Sequence, residues 1–306
     1  MTRPGDPKPP RRSTPLATPT CAPPAAGFPL AQDALVSLVR AALDEDRAFE
    51  DVTTIATVVS ARHARAALVA RADGVVAGVP LALAAFHLLD SHVEIRVDAE
   101  DRAHVRKGDT VLFLSGSARG ILSAERVALN FLQRLSGVAT LTARYVEAVR
   151  GTGAAILDTR KTTPGWRALE KYAVRCGGGT NHRNDLSAAV LIKDNHIAAC
   201  EGDVAVALQR ARAHAPPGML VQVECDTLAQ VREAIRAGAD ALLLDNMPNH
   251  ALSQAVQLAK GHCWTEASGG VNLSTVRAIA ETGVDRISVG ALTHSAPSLD
   301  LALDFE

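Results

Sequence analysis

Aromatic side chains are scarce in this chain: Phe, Trp and Tyr together make up 3% of its 306 residues. Proteins that bind single-stranded nucleic acid stack bases on such rings, so that class is disfavoured. A strong charge of either sign is also missing. The 32 Lys and Arg stand against 33 Asp and Glu, a formal net charge of −1. That excludes a protein that coats nucleic acid through bulk positive charge, but it leaves room for a local basic pocket. No apolar run approaches the roughly 18 residues that a membrane-spanning helix needs. The cysteines Cys21, Cys176, Cys200, Cys225 and Cys263 are scattered, with no CxxC pair and no Cys/His cluster at zinc-like spacing. They read as free thiols of a reducing cytoplasm.

What is present is an ordinary globular composition, 47% apolar and 21% charged. The length suffices for one large core or two domains. Residues 1–28 stand apart: they are rich in Pro, Thr and Ala, lack apolar periodicity and read as a disordered tail. Arg11-Arg12 is followed by no apolar stretch, so it does not read as an export signal.

Residues 29–130 read as a compact α+β domain. Leu35, Leu38, Val39 and Ala42 share a helical face. Segments 63–70, 74–78, 93–97 and 110–115 read as strands, with Lys107-Gly108-Asp109 as a turn and a helix over 80–89. Ser123 is a candidate N-cap for a helix whose apolar stripe is Val127, Phe131, Leu132 and Leu135. Glu125 sits in its first turn, Gly137 interrupts it, and a second helix follows to near Arg150.

Residues 131–292 read as an α/β barrel. Apolar runs of strand length recur at 154–157, 190–192, 221–223, 241–244, 264–267 and 287–289. Helical stretches lie between them, for example 228–237, 251–259 and 273–282. The closing stretch, about 293–306, is expected to pack back on the first domain. The decisive regularity is what ends each strand. Asp158-Thr159-Arg160-Lys161, Lys193-Asp194-Asn195, Glu224, Asp245-Asn246, Ser268-Gly269-Gly270 and Gly290 follow the apolar runs in turn. In a barrel these positions ring the mouth where active sites sit.

Two features of that ring carry chemistry. Ser268-Gly269-Gly270 and Val289-Gly290-Ala291 close the last two strands. Glycines there let backbone N–H groups approach a phosphate. Arg160, Lys161, Arg183 and Lys193, joined by His182, make a cationic group that repels itself unless an anionic guest arrives. Arg grips carboxylate or phosphate in a fork, whereas Lys offers a point charge. The plain alternative is a set of solvated surface cations. Glu224 and Asp245 end neighbouring strands and are open to three roles: acid–base work, sugar-hydroxyl binding or holding Mg²⁺. His87, His104, His214, His250 and His262 read as structural, and Trp166 and Trp264 as packing residues.

The motif run 158–165, the glycines 177–179, His182-Arg183, the segment 191–196, Glu224, Leu244-Asp245-Asn246, 266–270 and Val289-Gly290 resembles the quinolinate phosphoribosyltransferase family. Upstream, 125–137 is similar to its interdomain helix, and Glu45-Asp46 with 51–54 to its early loop. The likeness covers the chain from about Leu30 onward. It implies an N-terminal open-sandwich domain, then an incomplete α/β (TIM-like) barrel. It also implies a cytoplasmic homodimer, or larger assembly, whose N-terminal domain covers the partner's barrel mouth. The activity implied is phosphoribosyl transfer from phosphoribosyl pyrophosphate to quinolinate with decarboxylation, giving nicotinate mononucleotide for NAD.

By the same likeness Arg126, Arg160, His182, Arg183 and Lys193 would bind quinolinate, Arg126 from the neighbouring subunit. Thr159, Lys161, Glu224 and Asp245 would bind phosphoribosyl pyrophosphate. Lys161, Glu224 and Asp245 would be catalytic, with Glu224 and Asp245 on Mg²⁺. Ser268, Gly269, Gly270, Val289, Gly290 and Ala291 would hold the 5-phosphate. Residues 47–50 and Asn184-Asp185 depart from the pattern, since glycines are common there. The rival readings are a nicotinate-specific sibling, a non-catalytic phosphate-binding barrel, and an aldolase-like barrel with Lys193 as Schiff base. The monocarboxylate needs fewer cations, retention of Lys161, Glu224 and Asp245 argues against a dead barrel, and the Arg–His cluster has no task in an aldolase.

Overall fold

The computed structural model describes residues 27–305. The tail expected over 1–28 lies almost wholly outside the described residues. The first part runs α1 (Gln32–Glu45), a 3₁₀ turn (Ala48–Glu50), α2 (Val52–Thr57), β1 (His63–Ala70), β2 (Gly74–Val75), α3 (Val79–Leu89), β3 (Glu94–Val97), β4 (His104–Val105), β5 (Thr110–Ser117) and α4 (Ala118–Ala148). The second alternates β6 (Ala155–Leu157), α5 (Arg167–Cys176), β7 (Val190–Ile192), α6 (Asp194–Ala198), α7 (Val204–His214), β8 (Val221–Cys225), α8 (Leu228–Arg236) and β9 (Ala241–Asp245). It ends with α9 (Asn249–Ala259), β10 (Trp264–Ser268), α10 (Val276–Ala280), β11 (Arg286–Ser288), α11 (Ala291–His294) and β12 (Leu301–Phe305).

Six parallel strands form one sheet in the order β6-β11-β10-β9-β8-β7. Its outer strands β6 and β7 do not pair, so the barrel is incomplete; a lone bridge from Leu157 to Thr180 extends the β6 edge. Helices between successive strands cover the outside, as parallel strands require. A separate four-stranded antiparallel sheet, β12-β1-β5-β3, belongs to the smaller α+β part. Its edge strand β12 comes from the C-terminus and pairs with β1, setting Leu303 opposite Leu68. Among the described residues no helix is long and apolar enough to cross a membrane.

Two expectations about the long helix need correction. Gly137 does not break it: α4 is continuous over 31 residues. A Cβ at Gly137 would lie 2.1 Å from the Pro297 carbonyl oxygen, so the glycine serves close helix-to-chain approach. Nor is Ser123 the N-cap. Ser117 caps the helix, accepting from the Gly120 N–H, while Ser123 donates to Asp51 at 2.9 Å. The segment 51–54, expected as loop, opens α2, whose N-cap Asp51 accepts the Thr54 N–H at 3.0 Å. Trp166 stacks on Phe131 at 5.3 Å and Arg286 lies 3.8 Å over Trp264, packing roles as expected.

Substituting Gly137 by Ala adds helix propensity worth about 1 kcal/mol, but the methyl meets a backbone oxygen. We expect a net destabilisation of about 1–3 kcal/mol, read as a lower urea midpoint with unchanged slope.

Candidate active site

The carboxyl ends of the six parallel strands surround a cavity of about 620 Å³. The loop after β6 contributes Thr159, Arg160 and Lys161, and the stretch before β7 contributes His182 and Arg183. Lys193 follows β7, Glu224 lies on β8, Asp245 ends β9, and Ser268-Gly269-Gly270 follow from β10. Five basic and three acidic side chains, the third being Glu266, thus face one space.

The basic groups differ in how they are held. Lys193 forms an ion pair with Glu224 at 2.5 Å. Arg183 donates to the Ala189 carbonyl at 2.8 Å. Burial, and then repulsion from Arg160, pulls the Arg183 guanidinium below its ordinary value. Arg160 has a buried Nε with no partner among the described residues. Lys161 makes no ion pair there, although its backbone N–H reaches Thr159 Oγ1 at 3.0 Å. A buried donor without an acceptor is costly, so the mouth is built for an anionic guest.

His182 sits between these cations and a buried acid. Its Nδ1 accepts the Arg183 N–H at 2.8 Å, which leaves the ring proton on Nε2, 3.4 Å from Glu266. Glu266 is fully buried, and also accepts from Gln222 on β8 at 3.0 Å and from Ser288 on β11. Burial alone would raise its carboxyl, but His182, Ser288 and Gln222 together outweigh that and hold it below its ordinary value.

The glycine loop is held by the neighbouring strand end. Gly269 and Gly270 have φ of +89° and +62°, where side chains are disfavoured. A Cβ on Gly269 would lie 2.2 Å from the Asn246 side chain, while Gly270 faces open space. Asn246 is itself in the left-handed region, at φ +52°, and donates to Asp245 at 2.6 Å.

Some expected residues are not brought to the cavity. Val289 is buried and its N–H is taken by the Leu157 carbonyl, so it has no donor left for a phosphate. Gly290 and Ala291 also lie off the cavity wall. Gly290 instead lets the Lys161 stem pass, since a Cβ there would lie 3.2 Å from Lys161 Cδ. Arg126 lines a different concavity, of about 590 Å³, with Asp46, Glu50, Asp51 and Ser123.

This arrangement has known relatives. The quinolinate phosphoribosyl transferase N-terminal domain matches residues 51–136 and the C-terminal domain of that name matches 138–304. The chain belongs to the quinolinate phosphoribosyltransferase family. A relative from Mycobacterium leprae, named nicotinate-nucleotide pyrophosphorylase (carboxylating), is 45% identical over 280 residues, covering 89% of this chain and 97% of its own. One from Bacillus subtilis, named a probable enzyme of that kind, is 44% identical, covering 85% and 89%. The structure of NadC from Streptococcus pyogenes superposes with a TM-score of 0.85 at 43% identity, covering 90% and 99%. The human nicotinic acid phosphoribosyltransferase, at 14% identity and a TM-score of 0.58, shares the fold alone.

The residues read from sequence did not include the family site's buried support. Glu266 and Gln222 interrupt apolar strand runs, and a charged or polar residue inside such a run was the available signal. Asn246 was read at a strand end but given no role, and the buried Glu170 and Lys171 of α5 gave no signal, because their partners lie on other elements. For Glu266→Gln we expect a loss of about 1–3 kcal/mol at neutral pH, because an amide sets donors against donors. The depressed carboxyl contributes stability that is fully present above the ordinary carboxylate range and drains as pH falls through its lowered value. Urea midpoints of wild type and variant should therefore converge in acid.

Proposed function

We infer that this chain transfers the phosphoribosyl group of phosphoribosyl pyrophosphate to quinolinate, releasing pyrophosphate and CO₂ and forming nicotinate mononucleotide for NAD. The observation that carries the choice of substrate is the convergence of Arg160, His182, Arg183 and Lys193 on one cavity. Two carboxylates on a pyridine match that much positive charge; a single carboxylate leaves part of it unpaired.

In this reading the pyridine nitrogen attacks the anomeric carbon, a C–N bond forms, and the C–O bond to pyrophosphate breaks with its electron pair. Lys161, which makes no ion pair among the described residues, offsets charge growing on the leaving group. Ser268-Gly269-Gly270 cradles the 5-phosphate, and Thr159, Glu224 and Asp245 face the sugar and pyrophosphate. The nitrogen is then cationic, so the 2-carboxylate leaves as CO₂ and the electron pair left on the ring carbon is protonated. Holding the two substrates in line supplies most of the acceleration.

Among the described residues no three metal-ligating side chains cluster, and Glu224 is engaged with Lys193. Asp245 and Glu224 are oxygen donors of the kind Mg²⁺ takes; they would hold an ion carried in by pyrophosphate, which would neutralise phosphate charge. A homodimer belongs to the same reading: Phe49, Val52, Ile55 and Val59 are exposed apolar residues, and Val52 borders the concavity of Arg126. A reducing, cytoplasmic setting is part of the same reading, in keeping with the free thiols of Cys176, Cys200, Cys225 and Cys263.

Protein mixed with quinolinate, phosphoribosyl pyrophosphate and Mg²⁺ should release CO₂ and form nicotinate mononucleotide, with nicotinate a poor replacement. Turnover of nicotinate alone overturns the assignment. For Arg183→Ala, calorimetry should show quinolinate binding severely weakened and phosphoribosyl pyrophosphate binding largely kept. Inactive Arg126→Ala and Arg183→Ala proteins, mixed and allowed to exchange subunits, should regain activity, because one site of each hybrid is then intact. No recovery despite proven exchange rules out the shared site.

A further inference from the structure

Helix α5 carries a buried cation that the reaction does not touch. Lys171 is 2% exposed and does not line the cavity. Its Nζ pairs with the carboxylate of Asp158, which is fully buried at the end of β6, and donates to the His182 carbonyl at 3.0 Å. Asp158 in turn accepts the His182 N–H at 2.9 Å. The N–H and the C=O of His182 are therefore both clamped to one ion pair. Asn181 closes the unit, donating to Asp158 at 2.5 Å and to the Lys171 carbonyl at 2.8 Å.

Stability alone is a weak reason for such a pair. Removing two charges from water costs more than their attraction readily returns, and apolar packing of equal volume commonly does as well. Burial pushes the Asp158 carboxyl up and the Lys171 ammonium down, so each group's charge depends on the other. What the pair does hold is a segment under electrostatic load. His182 and Arg183 face a cavity shared with Arg160 and Lys193, and among the described residues Arg160 makes no ion pair and its buried Nε has no partner. Repulsion pushes this segment outward unless its backbone is tied from behind. The tie sits at the residue that joins Arg183 to the strand floor, through His182 and Glu266.

We propose that Lys171 is a positioning residue for the quinolinate end of the site, acting through Asp158 and the His182 peptide to fix where the His182 ring and the Arg183 guanidinium stand. The proposal rests on the quinolinate reading above. Lys171 touches neither substrate, and its effect is confined to the side of the mouth that grips the pyridine dicarboxylate. Among the described residues Lys171 makes no hydrogen bond or ion pair to Thr159, Lys161 or the 268–270 loop on the phosphoribosyl side.

The test compares wild type with Lys171→Met and with the double variant Lys171→Met/Asp158→Asn, each as the full chain. The single variant leaves a buried carboxylate unpaired and can fail to fold. The double variant removes both charges, keeps an acceptor for the His182 N–H, and carries the same readout. KM for quinolinate should rise about tenfold or more, as expected when binding groups shift by a fraction of an ångström. KM for phosphoribosyl pyrophosphate should stay within about twofold. An unchanged quinolinate KM, or an equal rise for both substrates, overturns the proposal, since a general loss of stability does not discriminate between them. Wild type that fails to turn over quinolinate instead defeats the functional reading, so the two failures are distinct.

Discussion

Like charges in a confined space repel, and the mouth of this barrel gathers five basic side chains around one cavity. The rest of the site is arranged around that constraint. Each cluster of cations has an acid placed beside or behind it. Glu224 meets Lys193 directly, Glu266 sits beneath His182 on the barrel floor, and Asp158 lies behind the His182 peptide. Glu170, also fully buried, accepts the Thr163 N–H and hydroxyl and pairs with Arg134, steadying the loop that carries Arg160 and Lys161. The acids hold the cations at fixed places, and among the described residues Arg160 and Lys161 are left without an ion pair, so an arriving anion supplies the missing charge. Preorganisation of this kind moves the cost of assembling like charges from the binding step to folding.

The scaffold can bear that cost because its two parts are tied by packing and hydrogen bonds that do not depend on the site. The long helix α4 runs between the sheets without a break, and Arg134 on it reaches the Ala296 and Thr293 carbonyls. Thr293 in turn donates to the Lys161 carbonyl at 2.7 Å. The chain then returns to pair β12 with β1. A close backbone approach at Gly137 makes this return possible. A further contact crosses from the smaller part: Asp101 accepts from Tyr172 at 2.7 Å, one residue along α5 from the Lys171 pair. Loops that carry function are therefore anchored on rigid elements at both ends.

Much of this was legible from residue order. The six parallel strands fall where apolar runs meet charged or glycine-rich residues, because strand interior and strand end impose different chemistry on neighbouring positions. Arg160, Lys161, Lys193, Glu224, Asp245 and Ser268-Gly269-Gly270 follow from that rule, His182 and Arg183 before β7 do not, and all of them share one cavity. The errors came where a local rule met a distant partner. Gly137 looks like a helix break until Pro297 is placed against it, and Ser123 looks like a cap until Asp51 claims its hydroxyl. Val289, read as part of a phosphate loop, is a placement only the fold gives: it lies off the cavity wall with its N–H bonded to Leu157.

The residue order by itself determined the alternation of strand and helix, the set of groups that ring the mouth and the family to which the chain belongs. The first two are consequences of periodicity and side-chain type, which act over a few residues; the family shows as a resemblance of motifs. Only the tertiary structure decided which acid answers which cation, that Arg126 stands apart from the cavity within one chain, and that Lys171 is buried behind the site. Such pairings join residues as far apart in sequence as Lys161 and Thr293, and hydrogen bonds and burial respond to distance in space alone.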